Sequence, residues 1–404
     1  MNYVTFLRRH IGFLFFGFSM MGLSNFGQTF FISLHGADIK QAFGLTNTSF
    51  GGLYSAMTLL SALVLLYSGR LIDKWPLSRF TSFVFLGFTA GCLFMGFASH
   101  IVMLAMALFF LRHFGQGLSG HTGITATVRA FPEQRGRAVA IIQLGYASTE
   151  AIFPLLLVLV MGWVGWQGSW LMAAGFLLLI AMPLQLYLTR YEPKLDKADM
   201  QAADGSQAAG RAEVVRDKRF YLLLPLYTSS PFLLTGMFFH QVNLANAYDW
   251  SLVALASAFT LYALTKIGVS LIMGGLIDRF GAVRLFPLVF VPLAGAFATL
   301  LWPNLIPLAL APYVYLALIG VYLGMTAPAS GSLWPELFGT QNLGAIRSMT
   351  SSIVIFSTAA APVFFGAIID AGISFAVISQ FCIVYLLVCG ALAFLASRIT
   401  LANQ

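Results

Sequence analysis

Charge is what this chain has least of. Asp, Glu, Lys and Arg make up 9% of its 404 residues, while 59% are hydrophobic and the mean hydropathy is +0.85. A soluble globule needs roughly 25% charged residues to cover its surface, so that class is excluded and the chain reads as an integral membrane protein. Cysteine is scarce as well. Cys92, Cys382 and Cys389 all lie in apolar runs, which leaves room for neither a disulfide framework nor a zinc site. No G-x-x-x-x-G-K-[ST] phosphate loop occurs, so ATP does not drive the chain directly. The six histidines do not gather with a nucleophile and an oxyanion donor, so an enzyme is not expected, nor a cofactor or a resident metal. The net charge of +8 would suggest nucleic acid in a soluble protein, but here the position of each charge decides its meaning.

What is present is apolar sequence in long runs. Twelve of them approach or exceed the roughly 20 residues that cross a bilayer: 11–34, 49–69, 79–99, 101–127, 137–162, 167–189, 220–245, 252–275, 283–302, 305–329, 344–368 and 374–397. Each is continuously apolar, where a barrel strand would alternate over roughly ten residues, so an all-α membrane protein of twelve transmembrane helices is expected. The only long polar segment, 190–219, divides an N-terminal bundle, 1–189, from a C-terminal bundle, 220–404. The start, MNYVTFLRRH, imitates a signal peptide, but Arg8 and Arg9 read as the anchor of a first helix that stays. With a cytoplasmic N-terminus, only Lys40 of the 22 Lys and Arg residues falls in an outer loop, only Arg112 and Lys266 fall deep inside the runs, and the rest lie at the inner side. That asymmetry places both termini in the cytoplasm of an inner-membrane protein. It also removes nucleic acid as the partner of the positive charge.

The chain repeats itself. GRLIDKWPLSRF, Gly69 to Phe80, parallels GGLIDRFGAVRLF, Gly274 to Phe286, and FPEQRGRAVA (131–140) is echoed more faintly by WPELFGTQNLGAIR (334–347). Glycine lets helices approach closely, and an aspartate at a helix corner can accept hydrogen bonds from the positive N-terminus of a helix in the other half. Asp73 and Asp278 would then latch the inner side shut, with Lys74, Arg79, Arg279 and Arg284 as partners. The plainer alternative is a pair of short loops whose basic residues fix topology and whose aspartates solvate the turn. Two halves, a central polar loop and duplicated G-x-L-x-D-[RK] segments resemble the major facilitator superfamily of secondary transporters over essentially the whole chain. The resemblance implies two pseudo-symmetric six-helix bundles and a gate carrying Gly69 and Gly274 beside those charges. It also implies a central cavity between the halves.

Three charges lie deep inside the runs, where each costs upward of about 3 kcal/mol. Arg112, Glu150 and Lys266 all come near the midplane at roughly 1.5 Å per helical residue. Lys266 is the first candidate substrate ligand, because an ammonium offers three donors and a positive charge to a small carboxylate or other oxyanion. The alternative is a lysine permanently paired with Glu150. Its spacing from Gly274 is similar to that of the substrate-binding cation in the monocarboxylate and oxalate:formate porters, and FPEQRGRAVAI resembles their entry to the fifth helix. The chain departs from that group in its first helix, where Asn25 and Gln28 stand in place of a lysine. It departs again in the eleventh, which has no cation at mid-membrane. RHFGQGLSG, containing Arg112, resembles the fourth helix of proton-coupled members. A guanidinium beside a carboxylate favours the charged form, and parting the two lets the carboxylate take a proton. Glu150 is the available carboxylate and His113 a second titratable group; a static bridge between Arg112 and Glu150 is the structural alternative.

Asn25, Gln28, Tyr54, Gln143, Tyr146, His240, Gln241, Asn243 and Tyr262 are candidates to complete a substrate pocket, Tyr262 lying one turn before Lys266 on the same face. Each is equally a candidate interhelical hydrogen bond. His121 and Glu336 read as packing or loop residues. The expected function is secondary active transport of a small, monocarboxylate-like organic anion by alternating access, with proton symport or exchange. The expected partners are an anionic solute, a proton or counter-substrate and the lipid bilayer, and the protein is expected to act as a monomer. Two other functions stay open. Drug export by proton antiport lacks its G-x-x-x-G-P-x-x-G-G pattern in GYASTEAIFPLL, and a transporter-like substrate sensor would need a larger extra domain than segment 190–219.

Overall fold

The computed structural model describes residues 3–193, 214, 216–338 and 343–402. Most of the polar segment 190–219, and positions 339–342 of the fainter repeat, lie outside the described residues. Among the described residues the regular structure is all helical. Ten helices are long and apolar enough to cross a membrane. One of them, Pro132–Tyr191, runs 60 residues and supplies two crossings, because it turns at Gly165. Gly165 has φ +75°, a conformation that a side chain would strain. The first helix, Tyr3–Leu23, whose start carries Arg8, Arg9 and His10, brings the crossings among the described residues to twelve.

We number them α1 (Tyr3–Leu23), α2 (Asn47–Ser68), α3 (Leu77–Gly96), α4 (Ile101–Ala130), α5 and α6 (135–164 and 166–191), α7 (Lys218–Phe239), α8 (Leu252–Phe280), α9 (Ala282–Leu301), α10 (Ala311–Phe338), α11 (Leu343–Asp370) and α12 (Phe375–Ala402). They divide into two compact units, Met1–Ala202 with α1 to α6 and Ala203–Gln404 with α7 to α12. Local chemistry sets several helix starts. The hydroxyls of Thr46 and Ser251 accept the N–H groups of Ser49 and Ala254 at 3.1 Å, capping α2 and α8, and Asp217 caps α7 through the N–H of Arg219 at 2.7 Å.

The helices are least regular where polar residues gather. α1 ends in a 3-10 turn, Ser24–Gly27, passes through extended Gln28 and resumes at Thr29. α4 widens into a π-helix over Leu111–Ser119. α7 does so over Ser230–Leu234 and then breaks at His240 before a further helix, Gln241–Ala247. Broken backbone at membrane depth survives only where neighbours take up its freed polar groups. In unit 1 the neighbour is α4: a side chain on Gly27 would strike the Leu111 carbonyl and the Gln116 nitrogen, so the broken turn lies directly on the π-helical segment. In unit 2, α8 packs closely on α10 through Gly320 and Gly324, a G-x-x-x-G pair that lets helix backbones approach. A Cβ on Gly324 would lie 2.7 Å from the Lys266 carbonyl.

Candidate functional site

In unit 1 the break in α1 draws in residues from three other helices. Arg112 of α4 donates through Nη1 to the Gly27 carbonyl at 3.1 Å and through Nε to Thr58 Oγ1 of α2 at 3.2 Å. Its guanidinium carbon stands 5.1 Å from the centroid of the Tyr54 ring, a distance at which the ring face attracts a cation. Tyr54 is fully buried, and its hydroxyl meets Thr29 Oγ1 at 2.8 Å, just beyond the break. On the other side of the break, Asn25 Nδ2 donates to the Tyr146 carbonyl at 2.9 Å and to Thr149 Oγ1 at 2.7 Å, tying α1 to α5. Glu150 is buried next along α5, and Tyr146 lies within electrostatic range of both Glu150 and Arg112.

Unit 2 places Lys266 half-buried on α8, its Nζ 5.4 Å from the centroid of the Tyr262 ring. That ring is buried and packs edge-on against Phe238 of α7 at 6.1 Å. Thr265 Oγ1 donates to the Ala317 carbonyl of α10 at 3.2 Å, so the backbone beneath Lys266 is pinned on two sides of the G-x-x-x-G contact. At the break of α7, His240 Nε2 meets the Pro362 carbonyl of α11 at 2.9 Å. A carbonyl only accepts, so Nε2 carries the proton and Nδ1 is left to accept from Asn243 Nδ2 at 3.5 Å. The two breaks are therefore braced alike, α1 to α5 by Asn25 and α7 to α11 by His240.

The remaining expected site residues fall elsewhere. His113 turns to α2, meeting Ser68 Oγ at 3.1 Å and the Ser61 carbonyl at 3.3 Å, with its ring stacked on Phe109. Gln28 is half-buried at the break, Gln143 is exposed on α5, and Gln241 is buried beyond His240. At the gate segments, Asp73 is ion-paired with Arg129 at the end of α4, whose Nη1 also donates to the Ile72 carbonyl at 3.3 Å. Arg79 lies over the Trp75 ring at 4.7 Å, and Lys74 is exposed beside it. Gly69 caps α2, where its carbonyl meets His121 Nε2 at 3.3 Å. In unit 2, Asp278 is exposed, Arg279 lies over Phe280 at 5.1 Å, Arg284 is exposed and Gly274 has open space around it. There the loop is held by Glu336 of α10, which accepts the N–H groups of Ala282 and Val283 at 2.5 and 3.3 Å and so caps α9.

Arg129 and Glu336 are the residues that sequence reading underweighted. Both sit toward the C-terminal ends of equivalent helices, α4 and α10, and the signal was available in the echoed FPE and WPE segments. Gly320 and Gly324 were likewise visible as a glycine pair. Thr29, Thr58 and Thr149 carried no sequence signal, since threonine within an apolar run is unremarkable.

Two six-helix units with buried polar residues at the breaks of α1 and α7 define a polytopic membrane transport protein. The model of the Major Facilitator Superfamily matches residues 13–362, and the chain belongs to that family; it is a secondary transporter and not an enzyme. Its fold is similar to that of a bacterial homologue of the human lysosomal transporter Spinster in an inward-facing, unoccupied conformation, with a TM-score of 0.69, 17% identity and 98% of each chain covered. The inward-facing, occupied conformation gives a TM-score of 0.65 at 16% identity, covering 100% of this chain and 99% of the other. At these identities the likeness establishes the fold alone. No curated protein is similar enough to match.

Proposed function

We propose that the chain carries a small organic anion, monocarboxylate-like, across the inner membrane by alternating access of its two units, with a proton or a counter-substrate. The observation that carries this reading is the setting of Lys266: an ammonium at mid-helix, held over an aromatic ring, on a backbone fixed by the contact of α8 with α10. A cation at mid-helix is costly and so rarely casual, and an ammonium offers a small anion three donors and a positive charge. Arg112 adds a second positive centre, donating to a carbonyl and a hydroxyl. Glu150, buried beside Tyr146, is the group we assign to proton coupling, with Arg112 as its electrostatic partner and His113 as a secondary candidate. We assign substrate contacts to Asn25, Tyr54 and Tyr146 in unit 1 and to His240, Asn243 and Tyr262 in unit 2. The lopsided placement of Lys and Arg supports cytoplasmic termini on this reading.

The test is binding. In a thermal-shift screen of purified protein against small carboxylates, sugars and cationic drugs, a carboxylate should raise the melting temperature, since a ligand stabilises the state it binds. Lys266→Gln should abolish that shift and anion uptake in proteoliposomes while expression stays normal. Undiminished uptake by the variant would sink the anion site, and stabilisation by cationic drugs alone would favour drug export.

A further inference from the structure

We propose that each six-helix unit holds one acyl chain of a bilayer phospholipid in an apolar slot, between α11 and α12 in unit 2 and between α5 and α6 in unit 1. The unit 2 slot has a volume of about 580 Å³ and is walled by Phe232 and Leu233 from the π-helical part of α7, Phe365 and Ile368 from α11, and Ile378 and Phe381 from α12. Along this length α11 packs on α7 rather than on α12. The slot of unit 1, about 320 Å³, occupies the equivalent place in the repeat. Its walls include Phe31 beyond the break in α1, Leu157 and Val160 of α5, and Trp170, Ala173 and Phe176 of α6.

Size, chemistry and place select the occupant. Ser357 and Ile368, both on the wall of the larger slot, are eleven residues apart on α11, or about 16 Å at roughly 1.5 Å per residue. That is close to one leaflet of a hydrocarbon core roughly 30 Å thick. The slot begins at the α11–α12 turn, where Ile373 follows Gly372, and ends near mid-depth at Thr228 and Tyr385. Two of its polar groups are engaged by the protein itself: the Thr228 hydroxyl donates to the Leu224 carbonyl at 3.0 Å and the Tyr385 hydroxyl to the Pro225 carbonyl at 3.2 Å. Water needs two to four polar partners in a cavity, and an empty cavity forfeits the dispersion contacts of its lining. Phe364 and Phe381 at the rim are 51% and 69% exposed within two of the most apolar spans, Met349–Asp370 and Phe375–Leu401, so what covers them is bilayer hydrocarbon. An acyl chain lying along the helix axes fills the slot with the one apolar solute that the membrane supplies at high concentration.

The full-length protein reconstituted in phosphatidylcholine vesicles, with a trace of phosphatidylcholine carrying a mid-chain diazirine, tests the assignment. After irradiation, peptides 357–368, 378–385 and 157–176 should be labelled at least threefold more than peptides around Leu271 and Leu179, the freely exposed surfaces of α8 and α6. Ile378→Trp should lower labelling of the unit 2 slot at least threefold and leave the unit 1 slot unchanged, and Ala173→Phe should do the reverse, so each slot controls for the folding of the other variant. If Ile378→Trp does not fold, Cys382→Leu reads the same loss. Uniform labelling over slots and exposed surfaces overturns the proposal, as does labelling that neither variant alters. Displacement of the label by an equimolar headgroup-free alkane would show an apolar solute site and overturn the phospholipid assignment.

Discussion

Arg112, Glu150 and Lys266 each carry a charge that the bilayer disfavours, and each is settled differently. The Arg112 guanidinium takes up the Gly27 carbonyl released by the broken turn of α1, so one costly group satisfies another. Lys266 lies half-buried over the ring of Tyr262. Glu150 lies buried on α5, one turn beyond Tyr146. If Glu150 carries the coupled proton, Glu150→Gln should lose accumulation driven by a pH gradient while keeping substrate exchange, because the amide mimics the protonated side chain and holds it so. Transport in proteoliposomes with and without the gradient measures this, and a pH dependence equal to wild type would remove Glu150 from coupling. The charged residues were legible in the sequence, since three charges in apolar runs are conspicuous. Their partners were not: Arg112 and Gly27 stand 85 positions apart.

At the scale of the elements, the α8–α10 contact and the α1–α4 contact are the rigid parts, both made through glycine. A side chain on Gly320 would strike the Thr265 hydroxyl and the Tyr262 carbonyl, while Gly268 on the same α8 has open space around it. Gly320→Leu should therefore destabilise the protein by about 1–3 kcal/mol, the usual cost of overpacking a filled contact. If Lys266 binds the substrate, the substitution should also weaken binding through the displaced lysine. Gly268→Ala should leave the melting temperature unchanged or raised, since alanine favours helix by up to about 1 kcal/mol. Melting curves of the two variants, run together, decide the matter. The glycine pair Gly320 and Gly324 could be read in the sequence as a helix contact, but which helix it meets could not. The break of α1 was hidden further still: the run from 11 to 34 is apolar throughout, and hydropathy does not register a turn whose polar groups are satisfied by a neighbour.

For the whole molecule, the gate segments are where the two units follow one plan with different residues. In unit 1 a cation from the end of α4, Arg129, holds Asp73; in unit 2 an anion from the end of α10, Glu336, holds the start of α9. On the alternating-access reading, Asp73→Asn weakens the closed inner side and shifts the protein toward its inward-open state. A cysteine introduced at exposed Asn246, beyond the break of α7, should then react more slowly with an impermeant thiol reagent. Arg129→Gln should reproduce the effect and Lys74→Gln should not. Equal reactivity in wild type and Asp73→Asn would count against the latch.

The sequence by itself determined the membrane class, the twelve all-α crossings, the family resemblance and the three charges deep in apolar runs. These follow from local properties: a run of apolar residues crosses a bilayer whatever lies elsewhere in the chain, and a charge within it is conspicuous wherever it points. Only the tertiary structure decided that α1 and α7 are broken, that Arg112 answers one break and His240 the other, that Arg129 rather than Lys74 or Arg79 pairs with Asp73, and that Glu336 caps α9. Each of these depends on groups from different helices meeting within hydrogen-bond distance, and that meeting is set by packing, which a single chain of letters does not encode residue by residue.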